Sequence, residues 1–292
     1  MSSKIEVVVD IRAQLGEGPI WDENTKTLFW VDIMSSMVYC YNPGTHTNHG
    51  YNVGQHVGAI VPRTSGGLML ALQNGFAAYD LLSQQLTLIT DPEADLPNNR
   101  FNEGKCDPAG RFWAGTMAYS NQTTQGSLYR LDSDFSVHKM LGNIAISNGI
   151  VWSIDRKTMY YIDSLANTVA AFDYDVTTGD ISHERVVVKV PKNMGVPDGM
   201  AIDSNGMLWI AHFGGSCVRC WDSITGRLLE EISLPATQIT ACAFGGDDLS
   251  TLYITSAAIG LDSTAKEATP FAGSLFCTQP GVKGTHTYAF NG

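Results

Sequence analysis

The sequence is poor in charged residues and contains no long apolar segment. Only 16% of its 292 residues are Asp, Glu, Lys or Arg, while 44% are hydrophobic. This balance argues against an intrinsically disordered chain. No apolar run approaches the about 18 residues that a membrane-spanning helix needs. The N-terminus also lacks a basic leader followed by an apolar core, so we expect no secretion signal and a folded cytoplasmic protein.

Basic residues are scarce as well. The chain has 18 Lys and Arg against 29 Asp and Glu, which gives a formal net charge of −11. A negative field repels phosphate backbones and anionic surfaces but attracts cations. We therefore expect neither a nucleic acid nor a membrane as a partner.

The motifs of several common chemistries are missing. The sequence contains no HExxH zinc motif, no GxSxG nucleophile elbow, no P-loop and no GxGxxG. Its six cysteines are scattered, and the single CxxC at Cys217 and Cys220 is weak evidence for zinc or redox chemistry. We expect six reduced thiols.

What the sequence does contain is a repeat. Six segments share a small residue, a short apolar run, a turn and a second apolar or aromatic run, and their starts lie 40 to 50 residues apart. The starts are Gly18, Gly58, Gly104, Gly149, Gly199 and Ala241. A period of about 40–50 residues with runs rich in Val, Ile, Trp, Tyr and Phe is typical of propeller blades.

The repeat predicts an all-β fold. We expect a six-bladed β-propeller with four-stranded antiparallel blades, forming one domain over residues 1–292. The apolar segments at residues 5–11 and 286–292 are expected to pair and close the ring. The six tryptophans lie in strand-like runs, so we assign them to the core, and we place His212 and Phe213 in the core or just behind a site.

The innermost strands of a propeller line its axis, so residues at one repeat position converge there. The residue before each repeat start is Glu17, Val57, Glu103, Asn148, Asp198 or Thr240. Carboxylates and an amide placed on one axis would repel each other or lie desolvated without a cation. Oxygen ligands suit Ca²⁺, Mg²⁺ or Mn²⁺, while Zn²⁺ more often recruits His or Cys. The alternative is that these residues cap strands or turns at the mouth of the propeller.

The third repeat carries additional polar residues in the string RFNEGK. Arg100 offers a rigid fork of donors, and Asn102 offers both a donor and an acceptor. With Glu103, they are candidates for binding a polar ligand beside the metal. The alternative is that Arg100 only neutralises neighbouring carboxylates.

Several motifs in order resemble the gluconolactonase, regucalcin and luciferin-regenerating enzyme family. They are LGEGPIWD, RFNEGKCDPAGRFWAGTM, ISNGIVWSIDRKTMYYIDS, VPDGMAIDSNGMLWIAHFGG and GVKG, and they span nearly the whole chain. The resemblance implies a six-bladed propeller with an axial divalent metal held by Glu17, Asn148 and Asp198. It also implies that Asp198 is the general base and that Arg100 and Asn102 contact the substrate.

The chain departs from the family pattern at two places. It has Glu103 in NEGK where the family more often has NDGK, and it has Tyr119 and Ser120 after GTM where some members carry an acidic residue. The roles of Tyr119 and Ser120 stay open. The fold and the metal therefore transfer more safely than the substrate.

The expected function is hydrolysis of sugar lactones, in particular aldonolactones, to sugar acids. The ion, which could be Ca²⁺, Zn²⁺, Mn²⁺ or Mg²⁺, would polarise the lactone carbonyl while Asp198 accepts a proton from water. Two alternatives are a calcium-binding regulatory protein and a hydrolase of another ester, such as an organophosphate. We expect a monomer or a weak homo-oligomer.

Overall fold

The computed structural model describes residues 4–120 and 124–292, which fold almost entirely into β-strands. The first two antiparallel groups consist of β2 (Gly16–Asp22), β3 (Thr27–Asp32), β4 (Met37–Asn42) and β5 (Thr47–Asn52), then β6 (Val57–Pro62), β7 (Leu68–Leu72), β8 (Gly75–Asp80) and β9 (Gln85–Thr90). The next two consist of β10 (Asn99–Cys106), β11 (Phe112–Ala118), β12 (Gly126–Leu131) and β13 (Val137–Ile144), then β14 (Ser147–Trp152), β15 (Thr158–Asp163), β16 (Thr168–Tyr174) and β17 (Ile181–Lys189).

The remaining strands form a larger assembly. It contains β18 (Val196–Ile202), β19 (Leu208–Phe213), β20 (Cys217–Trp221) and β21 (Leu228–Ser233), then β22 (Gln238–Gly245), β23 (Thr251–Ala257), β24 (Ser274–Thr278) and β1 (Glu6–Asp10). These two four-stranded runs are joined by a single residue pair, Phe213 with Gln238. Helical structure in the described residues is limited to α1 (Ser263–Ala268) and two 3-10 turns, Ser164–Ala166 and Lys192–Met194. The all-β prediction is therefore confirmed.

The prediction that residues 5–11 pair with residues 286–292 is wrong. The N-terminal strand β1 does complete the last group, but it pairs with β24, not with residues 286–292. Pro280 lies two residues after the end of β24 and cannot donate to a continuing ladder. The C-terminal segment instead crosses to another group, where Phe290 N–H donates to the carbonyl of Pro62 at 2.8 Å.

The first strands of the groups are neighbours in a closed order. Strand β2 contacts β6, β6 contacts β10, β10 contacts β14, β14 contacts β18, β18 contacts β22, and β22 contacts β2. All six predicted repeat starts lie on these strands. Residues far apart in sequence are thereby brought onto neighbouring strands.

Each of these first strands carries one extra residue opposite its second strand, and the six β-bulges lie within two residues of the predicted repeat starts. They are at Gly18–Pro19, Gly58, Asn102, Asn148–Gly149, Asp198–Gly199 and Thr240. Bulges re-aim side chains and are frequent beside active sites. A Cβ on Gly149 would lie 2.8 Å from the Asp198 carbonyl, and one on Gly199 would lie 2.4 Å from Ala241 Cβ. Glycine thus permits the close approach of neighbouring first strands.

The core lies between and within the strand groups. All six tryptophans are buried, as predicted, and Trp113 and Trp209 donate their indole N–H groups to Asp107 and Asp203 at 2.9 and 3.0 Å. The six cysteines are free thiols. Cys217 and Cys220 lie three positions apart on β20 and so face opposite sides of it. No helix in the described part of the chain is long and apolar enough to cross a membrane.

Candidate active site

A cavity of about 420 Å³ opens at the bulged level of the first strands. Five residues singled out from the sequence line it: Glu17, Arg100, Asn102, Asn148 and Asp198. They come from four different strands, β2, β10, β14 and β18. The structure therefore brings together the three predicted metal ligands and both predicted substrate contacts.

The amide of Asn148 is oriented by a serine that the sequence reasoning missed. Ser164 Oγ donates to the carbonyl of Pro197 at 2.7 Å, so this hydroxyl accepts from Asn148 Nδ2 at 2.9 Å. The amide oxygen Oδ1 must then point the other way. This oxygen is buried and has no hydrogen-bond partner.

A second buried oxygen, Asp198 Oδ1, also has no hydrogen-bond partner. Burying an oxygen without a partner costs free energy of about 1–3 kcal/mol. A cation between the two side chains would satisfy both oxygens at once. Amide and carboxylate oxygens are the donors that hard divalent cations prefer.

The pKa shifts of the carboxyl groups at the site also favour a cation at this position. Burial raises the pKa of Glu17 well above its ordinary value, and the nearby carboxylates of Asp198 and Glu103 raise it further. The pKa of Asp198 is also raised well above its ordinary value by burial and by Glu103, against the opposing effects of Asn148 and Arg100. A bound divalent cation would favour the ionised forms.

The donor set is small. Among residues 4–120 and 124–292, no group of three or more His, Cys, Asp or Glu side chains is placed to hold a metal ion. The predicted set has two carboxylates, and its third member is an amide. Its oxygen chemistry fits a hard cation better than a His- or Cys-binding metal.

Arg100 and Asn102 form a connected pair on the wall of the cavity. Arg100 Nη1 donates to Asn102 Oδ1 at 2.7 Å and to the carbonyl of Phe101 at 2.9 Å. Asn102 Nδ2 in turn donates to the carbonyl of Ser147 at 2.8 Å. The Arg100 Nε atom is buried without a hydrogen-bond partner. Arg100 also lowers the pKa of Glu17 and Asp198, as the alternative neutralising role requires.

Glu103 is the one predicted site residue that does not line the cavity. Its side chain is buried and its Oε2 atom has no partner. The bulge explains why Glu103 is absent from the cavity wall. Asn102 is the extra residue of β10, and it lines the cavity where the repeat alignment had placed Glu103. A Cβ on Gly104 would meet the Trp113 carbonyl of its own group, whereas Gly149 and Gly199 face a neighbouring first strand. The third repeat is therefore shifted by one residue.

Tyr119 lies at the rim, and Ser120 does not line the cavity. The Tyr119 hydroxyl donates to Gln73 Oε1 at 3.0 Å and lies 2.5 Å from His56 Nδ1, which must then be the protonated ring nitrogen. The guanidinium carbon of Arg100 lies 5.9 Å from the centre of the Tyr119 ring. The sequence predicted that His212 and Phe213 lie in the core or just behind a site. Phe213 lines the cavity, whereas His212 is fully buried behind it.

Two buried or half-buried aspartates hold the strands that carry the candidate ligands. Asp32 accepts from the N–H of Leu15 at 2.9 Å, and Asp163 accepts from the N–H of Ile146 at 3.1 Å. Leu15 and Ile146 lie two residues before Glu17 and Asn148. A signal was present in the sequence, because the runs FWVD and YYID both end in aspartate at the same distance from the candidate ligand.

Comparison with known proteins identifies the family. Residues 15–258 match the sequence model of the SMP-30/Gluconolactonase/LRE-like region. The chain belongs to this family. Regucalcin from Danio rerio is 43% identical over 294 residues, which cover 100% of this chain and 99% of the relative. The resemblance stated from the sequence motifs is confirmed.

Two further family relatives are similar over nearly the full length. YvrE of Bacillus subtilis (strain 168), named as a candidate sugar lactone lactonase, is 40% identical over 283 residues, covering 97% of each chain. The solved structure of regucalcin from Agrobacterium tumefaciens str. C58, described as a calcium-binding protein, has a TM-score of 0.94 and 29% identity. That likeness covers 100% of this chain and 97% of the other. The family similarity thus includes every strand that lines the cavity.

Proposed function

We propose that this protein is a divalent-metal-dependent hydrolase that opens sugar lactones to sugar acids. The observation that carries the proposal is the convergence of Glu17, Asn148 and Asp198 on one cavity, with two unpartnered buried oxygens and Arg100 beside them. The relative named as a candidate sugar lactone lactonase supports the substrate, and the relative described as calcium-binding supports the metal.

We further propose that the chain is a single six-bladed propeller with this site on its axis. Six antiparallel four-stranded runs and the closed order of their first strands support this architecture. The position of all six bulges within two residues of the repeat starts supports an axial arrangement of the side chains they carry. A cytoplasmic location and a monomer or weak homo-oligomer stay predictions.

Glu17, Asn148 and Asp198 would hold the ion, with Ca²⁺, Mg²⁺, Mn²⁺ and Zn²⁺ as the candidates. When bound, it supplies Lewis-acid polarisation of the lactone carbonyl and acidifies water. Ser164 keeps the oxygen of Asn148 directed into the cavity. Glu103 contributes only through its charge, since it does not line the cavity.

The chain's own groups then divide the remaining work. Asp198 accepts a proton from the attacking water as the water oxygen bonds to the carbonyl carbon. As the bond from that carbon to the ring oxygen breaks, Asp198 returns the proton to the ring oxygen. Arg100 and Asn102 orient the ring, since their mutual hydrogen bond fixes both side chains before substrate arrives.

The test uses the purified chain after treatment with a chelator. Each divalent metal is added back separately, and acid release is followed over a panel of aldonolactones. Asp198→Asn should retain metal at saturating concentration but lose about 10²- to 10⁴-fold in turnover, because the amide cannot accept the proton. Asp180→Asn, on an exposed turn, is the matched control and should behave as the wild type.

Four outcomes would count against the proposal. Full activity without metal would remove the cation from the mechanism. Near-normal turnover of fully metallated Asp198→Asn would show that Asp198 is not the base. Metal binding without turnover of any lactone would favour the calcium-binding regulatory alternative, and turnover confined to an organophosphate would favour the ester alternative.

A further inference from the structure

The cavity changes from polar to apolar one layer away from the candidate ligands. Side chains two positions apart on a strand share a face. The residues two positions before the three candidate ligands also line the cavity, and all are apolar: Leu15, Ile146 and Val196. Any substrate that reaches the carboxylates must pass this layer.

Further apolar side chains extend that layer. Phe213 projects from the end of β19, and Ile259 follows β23. We call the set of Leu15, Ile146, Val196, Phe213 and Ile259 the apolar collar. All five side chains are half-buried, so each keeps part of its apolar surface accessible at the cavity.

Backbone hydrogen bonds fix the positions of the collar residues. Leu15 and Ile146 donate their N–H groups to the aspartates described above, and Ile259 N–H donates to the carbonyl of Gln14 at 2.8 Å. Val196 pairs with Phe213 across β18 and β19. The accessible apolar surface is therefore preformed, as is usual for the walls of small-molecule sites.

Apart from the candidate ligands and Ser164, the hydrogen-bonding side chains that line the cavity come from the third strand group. Arg100, Asn102 and Tyr119 belong to the third strand group or follow it, and much of their capacity is already used within the protein. A ring with a hydroxyl on every carbon needs donors and acceptors all around it. The collar offers none from its side chains, so hydroxyls directed at it would lose water without replacement.

We propose that the lactones opened at this site carry an alkyl or aryl substituent, which the apolar collar covers while the lactone carbonyl faces Asn148 and Asp198. This inference rests on the proposed lactonase function and extends its substrate class from sugar lactones to lactones that carry an apolar substituent. An amphipathic lactone would use both sides of the cavity, with its polar part toward Arg100 and its apolar part on the collar.

The test measures kcat/KM of the metal-loaded protein over a graded series. The substrates are δ-valerolactone, δ-octalactone and δ-decalactone, with glucono-δ-lactone alongside. Each methylene that the collar buries should raise kcat/KM about fourfold, so δ-octalactone should exceed δ-valerolactone by at least about tenfold.

Val196→Thr tests the collar itself, since threonine has nearly the shape of valine but adds a hydroxyl. It should reduce the δ-octalactone to δ-valerolactone ratio about fivefold or more, because that hydroxyl lies under the alkyl chain. Ile259→Thr provides an independent second position if the first variant does not fold. Val186→Thr, exposed on the outer strand β17, is the matched control and should leave the ratio unchanged.

A flat or falling chain-length series with turnover of glucono-δ-lactone would overturn this inference and leave the proposed function standing. An equal loss on every lactone in Val196→Thr would overturn the collar contact as well. Absence of turnover with all lactones in metal-loaded protein would overturn both.

Discussion

Replacing Ser164 with alanine should separate the orientation of a ligand from its presence. Ser164 is 2% exposed, and its hydroxyl links two groups, accepting from Asn148 Nδ2 and donating to the Pro197 carbonyl. Without the hydroxyl, the amide of Asn148 loses the contact that distinguishes its oxygen from its nitrogen. The side chain can then rotate and present its NH₂ group, which repels a cation.

The magnitude follows from the two broken contacts. Removing a group that orients a metal ligand costs about 10- to 100-fold in metal affinity. Leaving the Pro197 carbonyl and Asn148 Nδ2 unpaired in a buried place should also lower the free energy of unfolding by about 1–3 kcal/mol. Among the three candidate ligands, Ser164 hydrogen-bonds to Asn148 alone. The loss of metal affinity should therefore come from this one ligand.

The assay is calorimetric titration of chelator-treated protein with Ca²⁺ and Mn²⁺, alongside urea unfolding. Ser164→Thr retains a hydroxyl and should recover most of the affinity. Ser153→Ala, in the exposed turn after β14, removes a hydroxyl far from the cavity and serves as the control. Wild-type metal affinity in Ser164→Ala, with the protein folded, would refute the assignment of Asn148 Oδ1 as a ligand oxygen.

Three other predictions follow from single side chains. Arg100→Ala should lower kcat/KM about 10- to 100-fold, since a charged donor is lost, but should not weaken metal binding by calorimetry; a parallel loss of both would make Arg100 part of the metal site. Asp107→Ala leaves the buried donors of Arg111 and Trp113 without an acceptor, so the free energy of unfolding in urea should fall by about 3–5 kcal/mol. A loss under 1 kcal/mol would contradict this prediction. Burial and Arg219 lower the pKa of His212 to about 3. Because the unfolded chain takes up this proton near pH 6.5, the stability that the neutral His212 retains above pH 6.5 should be lost as pH falls toward 3, by up to about 1.4 kcal/mol per pH unit. The free energy of unfolding of His212→Phe, measured with urea between pH 7 and 4.5, should depend less on pH than that of the wild type. An unchanged slope would refute this prediction.

The sequence predicted the convergence of the site because a repeat places equivalent residues at equivalent positions. Glu17, Asn148 and Asp198 could be found in this way, and the same reasoning located the first strands. It failed by one residue at Glu103, because an inserted bulge residue shifts register without leaving a distinct sequence signal. Bulge positions depend on the partner strand, which a single strand's sequence does not reveal.

The supporting contacts were harder to predict. Ser164 acts on Asn148 and on the backbone of Pro197, which is separated from it by a whole outer hairpin. Asp32 and Asp163 bind backbone N–H groups, so their only sequence signal was their equal distance from the candidate ligands Glu17 and Asn148. The C-terminal segment was misplaced for a related reason, since residues 274–278 and 286–292 are both short apolar runs, and only Pro280 between them distinguishes which one continues the sheet.

The pairing of β1 with β24 has a consequence for how the chain is made. Residues Glu6–Asp10 emerge from the ribosome long before their partner strand Ser274–Thr278. During synthesis the strand groups between them can form from local contacts, while the last group cannot assemble until its own late strands are complete. Until then β1 has no partner strand, and an unpaired edge of this kind is open to pairing with another nascent chain. A pause in translation after α1 would lengthen that exposed interval, whereas fast synthesis through β24 would shorten it.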